Sequence, residues 1–260
     1  MALRTLCATR YVTPLREGGS LPAIVEGEDD GMYVLKFRGA GQGTNALIAE
    51  ILAGEIARAL GLAVPELVLL TLDADLARSE PDPEIQDLIR ASAGVNLGLD
   101  YLPGAATFDP LADPVAPEVA SAIVWFDAFT SNVDRTVRNT NMLVWHRALW
   151  LIDHGAALFF HHATADYAAR AGDPFARIRE HVLLPQATRL EEADAVLAAR
   201  LDAATLAGIA ALVPDDWLAA DARLASARHR RSAYVDYLVA RLAAPRLFAM
   251  EALRAHALHV

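Results

Sequence analysis

The sequence predicts an α+β chain in two parts: a strand-rich first hundred residues with one main helix, then a mostly helical remainder with one hairpin. Three observations carry that expectation. Short apolar runs bounded by Gly, Asp and Pro crowd the first part. A helical apolar period runs from about Thr44 to Leu60. Past Pro103-Gly104 the composition shifts to Ala- and Leu-rich helical stretches. The simplest joint lies near Leu102–Gly104, dividing the chain into residues 1–102 and 103–260.

Taken in order, "TPLREGGSLP" offers Gly18, Gly19 and Ser20 as a tight connection, and Ala23–Glu26 reads as a short strand. The Gly-Glu-Asp-Asp-Gly turn after it suits a hairpin to "GMYVLKFRG". In that second strand Met32, Val34 and Lys36 face one way and Tyr33, Leu35 and Phe37 the other. The helix over 44–60 carries Leu47, Ile48, Ile51, Leu52, Ile56 and Leu60 and stops at Gly61. Leu67–Leu72 is a strand, "EPDPEIQDLIRAS" a short surface helix, and Val95–Tyr101 a strand broken by Pro103-Gly104. "APEVASAIVWFDAFTSN" follows as a helix and "MLVWHRALWLIDHG" as a hairpin. Nearly everything after Asp166 is expected to be helical, with breaks at Pro185 and Pro214.

Hydrophobic residues make up 54% of the chain and charged residues 22%, as in a globular protein. The formal charge of −10 disfavours nucleic acid or anionic lipid as a partner. Cys7 is the only cysteine, which excludes an internal disulfide and a Cys-based zinc cluster and fits a reducing cytoplasm. No apolar run has the length of a signal peptide or of a membrane span, about 18 residues. The expected partners therefore include neither nucleic acid nor membrane. Oligomeric state leaves no trace in the sequence.

Arginine has displaced lysine almost entirely: 23 basic residues include one lysine, Lys36. A compact ammonium on a slim stem makes point-charge contact with phosphate in a way arginine does not. The bland reading is a lysine surviving by chance on a strand. A second cluster lies downstream. "NVDRTVRNTN" holds Asp134, Asn139 and Asn141, and "LWLIDHG" ends the hairpin with Asp153 and Gly155. Two Asx-rich turns bounding a hairpin would explain these residues without a ligand. Phosphoryl transfer explains them differently. It needs one carboxylate for the acceptor hydroxyl, and a carboxylate with an amide oxygen to hold Mg2+ against nucleotide phosphates. Lys36 on a strand, an acidic helix next, then Asp, Asn and Asp follow the order such sites use.

These stretches resemble the HipA-like kinase family, within the wider protein-kinase and phosphoinositide-kinase fold. "AEILAGEIARALGLAVPE" is similar to the family's helix that begins with glutamate and ends Ala-Arg-Ala-x-Gly-Leu-x-Val-Pro. "NVDRTVRN" is similar to its Asn-x-Asp-x-x-x-x-Asn catalytic loop, and "LIDHG" to its metal-binding Asp motif. The likeness spans about Gly18–Gly155 and implies a single bilobal kinase-like domain, without the extra N-terminal subdomain of full-length HipA toxins. It implies ATP and Mg2+ as cofactors and a protein or small-molecule hydroxyl as acceptor. Lys36 would contact phosphate with Gly18, Gly19 and Ser20, Asp134 would serve the acceptor, and Asn139 and Asp153 would hold the metal. Asp100, Tyr101 and Leu102 would form the hinge reading the adenine edge.

The likeness sets Glu50 against Lys36, whereas helical phase favours Glu55; both stay open. Asn141 competes with Asn139 for the metal. A nucleotide-binding pseudokinase and an AMP transferase on the same fold are the alternatives to a kinase. His161-His162 reads as a solvated loop and not a metal site, and Arg228-His229-Arg230-Arg231 as an exposed helix face.

Overall fold

The computed structural model describes residues 2–15, 21–221 and 223–258. Gly18, Gly19 and Ser20 lie outside the described residues. By their contacts the residues form two units, 1–48 with 65–104, and 49–64 with 105–260. The expectation assigned the helix over 44–60 whole to the first part, but most of it groups with the second.

The first unit is a closed barrel in the order β1 (Arg4–Pro14), β2 (Ala23–Gly27), β3 (Met32–Lys36), β5 (Gly94–Asp100) and β4 (Leu67–Leu72). Closure is the work of β1. Its first residues pair parallel with β4, Arg4 opposite Val68 through Cys7 opposite Thr71. Its later ones pair antiparallel with β2. Register shifts at Ala8/Arg10 and Tyr11/Thr13 bend the strand between the two partners. Gly98 sits where β5 lies between β3 and β4, and a Cβ there would stand 2.4 Å from the Leu70 side chain. Leu6, Val25, Tyr33, Leu35, Val68 and Leu70 fill the core, joined by Ile85 and Ile89 of α2 (Pro83–Ala91). Asp82 caps α2 and Pro83 opens it, as a helix start favours.

Helix α1 (Gly43–Ala59) is apolar around most of its circumference and buried from Leu47 to Ala57, the pattern of a core helix. Gly61, at φ +84°, ends it, and Leu62 N–H closes back on Ala57 O at 2.9 Å. In the second unit α3 (Pro117–Thr130) is the central helix, buried through Trp125, Phe126 and Phe129. Its last carbonyls do not go unpaired: buried Arg241 donates to Ala128 O and Phe129 O, each at 2.8 Å. A small sheet of β6 (Ala106–Thr107), β7 (Met142–Trp145) and β8 (Ala148–Leu151) follows. The hairpin is as expected; the two-residue β6 is too short to leave a periodic signal. Helices α4 (Leu190–Ala198), α5 (Ala203–Ala210), α6 (Asp215–Ala219), α7 (Ala227–Leu242) and α8 (Leu247–Ala257) complete the unit. Among the described residues no helix is long and apolar enough to cross a membrane.

Three expectations need correction. Residues 166–189 are not a run of α-helix but loops and short 3-10 turns at Ala168–Arg170, Ala176–Glu180 and Leu184–Gln186. Gly172, Pro174 and Pro185 interrupt any longer helix there. His161 is not solvated: it is fully buried, with Nδ1 2.9 Å from Tyr234 Oη and Nε2 3.0 Å from His162 Nε2. Arg230 is also fully buried, donating to the Tyr167 and Tyr234 hydroxyls and to Trp217 O, while Arg228 and His229 stay exposed. In both cases phenol hydroxyls offset the cost of burial: Tyr234 of α7 for His161, and Tyr167 together with Tyr234 of the same helix for Arg230.

Candidate functional site

The loop after α3 is built to hold one carboxylate. Ser131 turns the chain out of the helix at φ +54°. Asn132 Oδ1 accepts the Asp134 N–H at 3.1 Å, closing an Asx turn that fixes the Asp134 backbone. Asp134 Oδ2 then accepts two side-chain amides, Asn139 Nδ2 at 2.8 Å and Asn141 Nδ2 at 3.2 Å. Asn141 Nδ2 also reaches Asp134 O at 2.9 Å. The structure therefore brings Asp134, Asn139 and Asn141 together. With both amide nitrogens spent on Asp134, the amide oxygens, the atoms that ligate hard cations, point elsewhere.

The hairpin brings the residue before Asp153 to the end of the same loop. Ile152 N–H donates to Asn141 O at 3.0 Å, so the residue before Asp153 is bonded to Asn141 and not to Asn139. Both Asn141 and Asp153 adopt left-handed backbone, at φ +47° and +54°. Such conformations in non-glycine residues gather at functional sites. Glu50, fully buried on α1, accepts the Gly155 N–H at 2.9 Å, and its other oxygen lies 3.5 Å from His154 Nδ1. The glutamate thus grips the backbone two residues past Asp153. Glu55 behaves differently, accepting from Arg58 Nε one turn along the same helix at 3.3 Å.

Below the loop lies a buried charge cluster that sequence reasoning missed. Asp127, fully buried on α3, accepts from Asn132 Nδ2 at 2.9 Å, Arg135 Nε at 2.5 Å and His181 Nε2 at 2.9 Å. Leu183 N–H donates to His181 Nδ1, so the proton sits on Nε2 and points at Asp127. Burial would raise the Asp127 carboxyl, but Arg135 and His181 outweigh it and hold the group well below the usual carboxylate range. Burial keeps His181 below the ordinary histidine range despite the attraction of Asp127. Arg135 also donates through Nη1 to Asn141 O. One arginine therefore spans the loop, from the anion under its start to the backbone at its end. The available signal was Asp127 itself, the one acid inside the otherwise apolar "SAIVWFDAFT".

In the first unit, Lys36 ends β3, paired with Leu97 of β5, and is 9% exposed. Asp100 and Tyr101 give their N–H groups to Glu66 O and Met32 O, both at 2.9 Å, while Leu102 is buried beyond the strand end. Burial and the nearby Glu66 carboxylate push the Asp100 carboxyl up. Among the described residues no cluster of three or more His, Cys, Asp or Glu is suited to a metal. The oxygen ligands the loop and hairpin offer a hard divalent ion are carboxylate and amide oxygens.

A family model described as HipA-like kinase matches residues 9–249. No curated protein sequence matches the chain. Among solved structures, the proinflammatory kinase CtkA of Helicobacter pylori aligns over 99% of this chain and 99% of its own, with a TM-score of 0.55 at 13% identity. The expected bilobal kinase-like fold is therefore present. The Golgi casein kinase, in a structure with Mn and ADP bound, aligns over 95% of this chain and 73% of its own, with a TM-score of 0.49 at 12% identity.

Proposed function

This chain belongs to the HipA-like kinase family, and from that premise we propose that it transfers the γ-phosphate of ATP, with Mg2+, to a hydroxyl of a protein or small molecule. The observation that carries the proposal is the hold on Asp134. Its backbone is fixed by Asn132, and one carboxylate oxygen accepts from both Asn139 and Asn141. The other oxygen is the one that would meet an acceptor hydroxyl, orienting it and taking its proton as transfer proceeds. Bound Mg2+ would offset the charge of the nucleotide phosphates.

Asp153 and an asparagine amide oxygen are the ligands this chain offers. Asn139 has the family's spacing from Asp134. A specific observation favours Asn141: its carbonyl is bonded to Ile152 N–H, next to Asp153. Glu50 would act as a positioning residue, since its bond to Gly155 N–H limits where the Asp153 backbone can go. Lys36 and the Gly18-Gly19-Ser20 turn would serve the phosphates. If Asp100 to Leu102 form the hinge, the Leu102 N–H is the donor to examine first, because those of Asp100 and Tyr101 are already given to the sheet. A cytoplasmic location belongs to the same reading.

Incubation with ATP labelled at either the γ or the α phosphate tests the reaction. Label moving from the γ position supports a kinase, label from the α position an AMP transferase, and neither a nucleotide-binding module. Asp134→Asn should leave the Mg-ATP thermal shift nearly intact while transfer falls on the order of 10²–10⁴-fold. Asp153→Asn and Lys36→Ala should weaken the shift as well. Equal loss of ATP binding in Asp134→Asn and Asp153→Asn would make Asp134 structural and overturn its assigned role.

A further inference from the structure

A cavity of about 650 Å³ opens in the second unit beside the loop that carries Asp134. Ser131 and Val133 form one wall, while Asn132 between them turns its amide inward to Asp127. Phe160, Phe175 and Tyr237 supply aromatic surface, and Phe159, half exposed, stands at the edge. Most of that lining is apolar. The walls are held in unusual backbone: Ser131, Phe175 and Leu158, which introduces Phe159, have φ of +54°, +59° and +53°. A bulky side chain at positive φ is an outlier, and Phe175 on the cavity with Leu158 leading into it indicates a shape fixed by its surroundings. Arg177 ties the far wall to the near one by donating to Val133 O at 3.3 Å.

Resting on the kinase reading above, we propose that this cavity receives a bulky apolar side chain of a polypeptide acceptor, next to the serine or threonine that meets Asp134. The deciding observation is that Asp134 does not itself line the cavity, whereas Val133 does. Successive residues are about 3.8 Å apart at Cα. The space therefore opens beside the carboxylate and not on it, where it would take a group neighbouring the reacting hydroxyl. A peptide carries such a group naturally. The arginines and aspartates at the rim, Arg170, Arg177, Asp166 and Asp173, balance in sign, so apolar burial and not charge would select the neighbour.

The test uses short Ala/Gly peptides with one central serine flanked on either side by Leu, Phe, Ala or Asp, phosphorylated by the full chain with Mg-ATP. Leu or Phe beside the serine should raise kcat/KM roughly 10- to 100-fold over Ala, mostly through KM. Ala169→Trp fills the cavity from an exposed position of its lining and should erase that preference. Peptide binding, read by fluorescence anisotropy, should lose the same preference. Equal rates across the peptides, a preference that survives Ala169→Trp, or transfer to small alcohols alone would each overturn the inference while leaving the kinase reading intact. No transfer to any acceptor, with apolar peptide binding still abolished by Ala169→Trp, would remove the kinase reading and support the docking site.

Discussion

Two buried charge clusters in the second unit solve the same problem in different ways. Under the loop that carries Asp134, Asp127 is an anion held by three side chains, Asn132, Arg135 and His181, at 2.9, 2.5 and 2.9 Å, with every member buried. Behind the 159–162 turn, buried Arg230 donates to two phenol hydroxyls and to backbone carbonyls, and its nearest carboxylate, Asp221, lies 3.8 Å away. The first cluster depends on charge pairing and the second mainly on hydrogen bonds from a cation to neutral oxygens. The difference follows from what each supports. The loop around Asp134 requires its start and its end to be pinned, which Arg135 does only while Asp127 fixes its guanidinium.

The two clusters should differ most at Asp127. Asp127→Ala leaves Arg135 buried without its anion, and should cost about 3–5 kcal/mol in chemical denaturation. If it costs no more than a surface change, the pairing is incidental to the fold. Arg230→Met removes the cation and leaves phenol and carbonyl oxygens to find other donors. About 1–3 kcal/mol is expected, and a loss equal to that of Asp127→Ala would erase the distinction between the clusters.

Acid should separate the two clusters further. Burial depresses both His161 and His181. In His181 the neighbouring Asp127 works against the depression, whereas in His161 the cations Arg230 and Arg223 add to it, opposed by Asp221, and His162 presses from the side. A histidine with a lowered folded pKa takes up its proton more readily when unfolded. Its stabilising contribution is therefore complete above the unfolded value, near ~6.5, and is lost as pH falls below it. The slope is about 1.4 kcal/mol per pH unit for each extra proton bound on unfolding. Asp127 adds a second loss at lower pH, because a depressed carboxyl stabilises the fold only until it is protonated. Melting temperatures from pH 7.5 to 5.5 should fall less steeply in His161→Gln than in wild type, and the flattening should exceed that in His181→Gln. The reverse ranking would mean that the positive surroundings of His161 do not govern its titration.

The same contrast explains what could be read from sequence. Leu67–Leu72 and the hairpin of β2 and β3 were legible because strand period and turn residues are local. Asp134, Asn139, Asn141 and Asp153 were legible as Asx residues out of place in an Ala/Leu-rich chain. The support beneath them was not. Asp127 and His181 are 54 residues apart, and nothing in either neighbourhood specifies the other. Arg230 looked solvated because it stands in a run of basic residues, yet one position of that run faces Tyr167, which a different segment supplies. Residues 166–189 looked helical from composition alone, and their Gly and Pro residues decide otherwise.

The smallest expected effect lies at Asp221. It accepts from Arg223 Nη2 at 2.7 Å, and Arg223 in turn donates to His161 O at 2.8 Å, so the pair clamps the 159–162 turn from outside. Hydrogen bonding from Arg223 holds the Asp221 carboxyl down, at about 2. Arg223 is 42% exposed at its side chain, however, and a solvated partner returns little. Arg230, for its part, keeps its phenol and carbonyl acceptors when Asp221 loses its charge. Asp221→Asn should therefore lower stability by about 1 kcal/mol or less, and should steepen the acid limb slightly, because the one nearby anion that favours protonated His161 in the folded state is gone. Denaturation at pH 7.5 and at pH 5.5 checks both parts. A loss at pH 7.5 as large as that of Asp127→Ala would show that Arg230 depends on a carboxylate after all, and that the two clusters work alike.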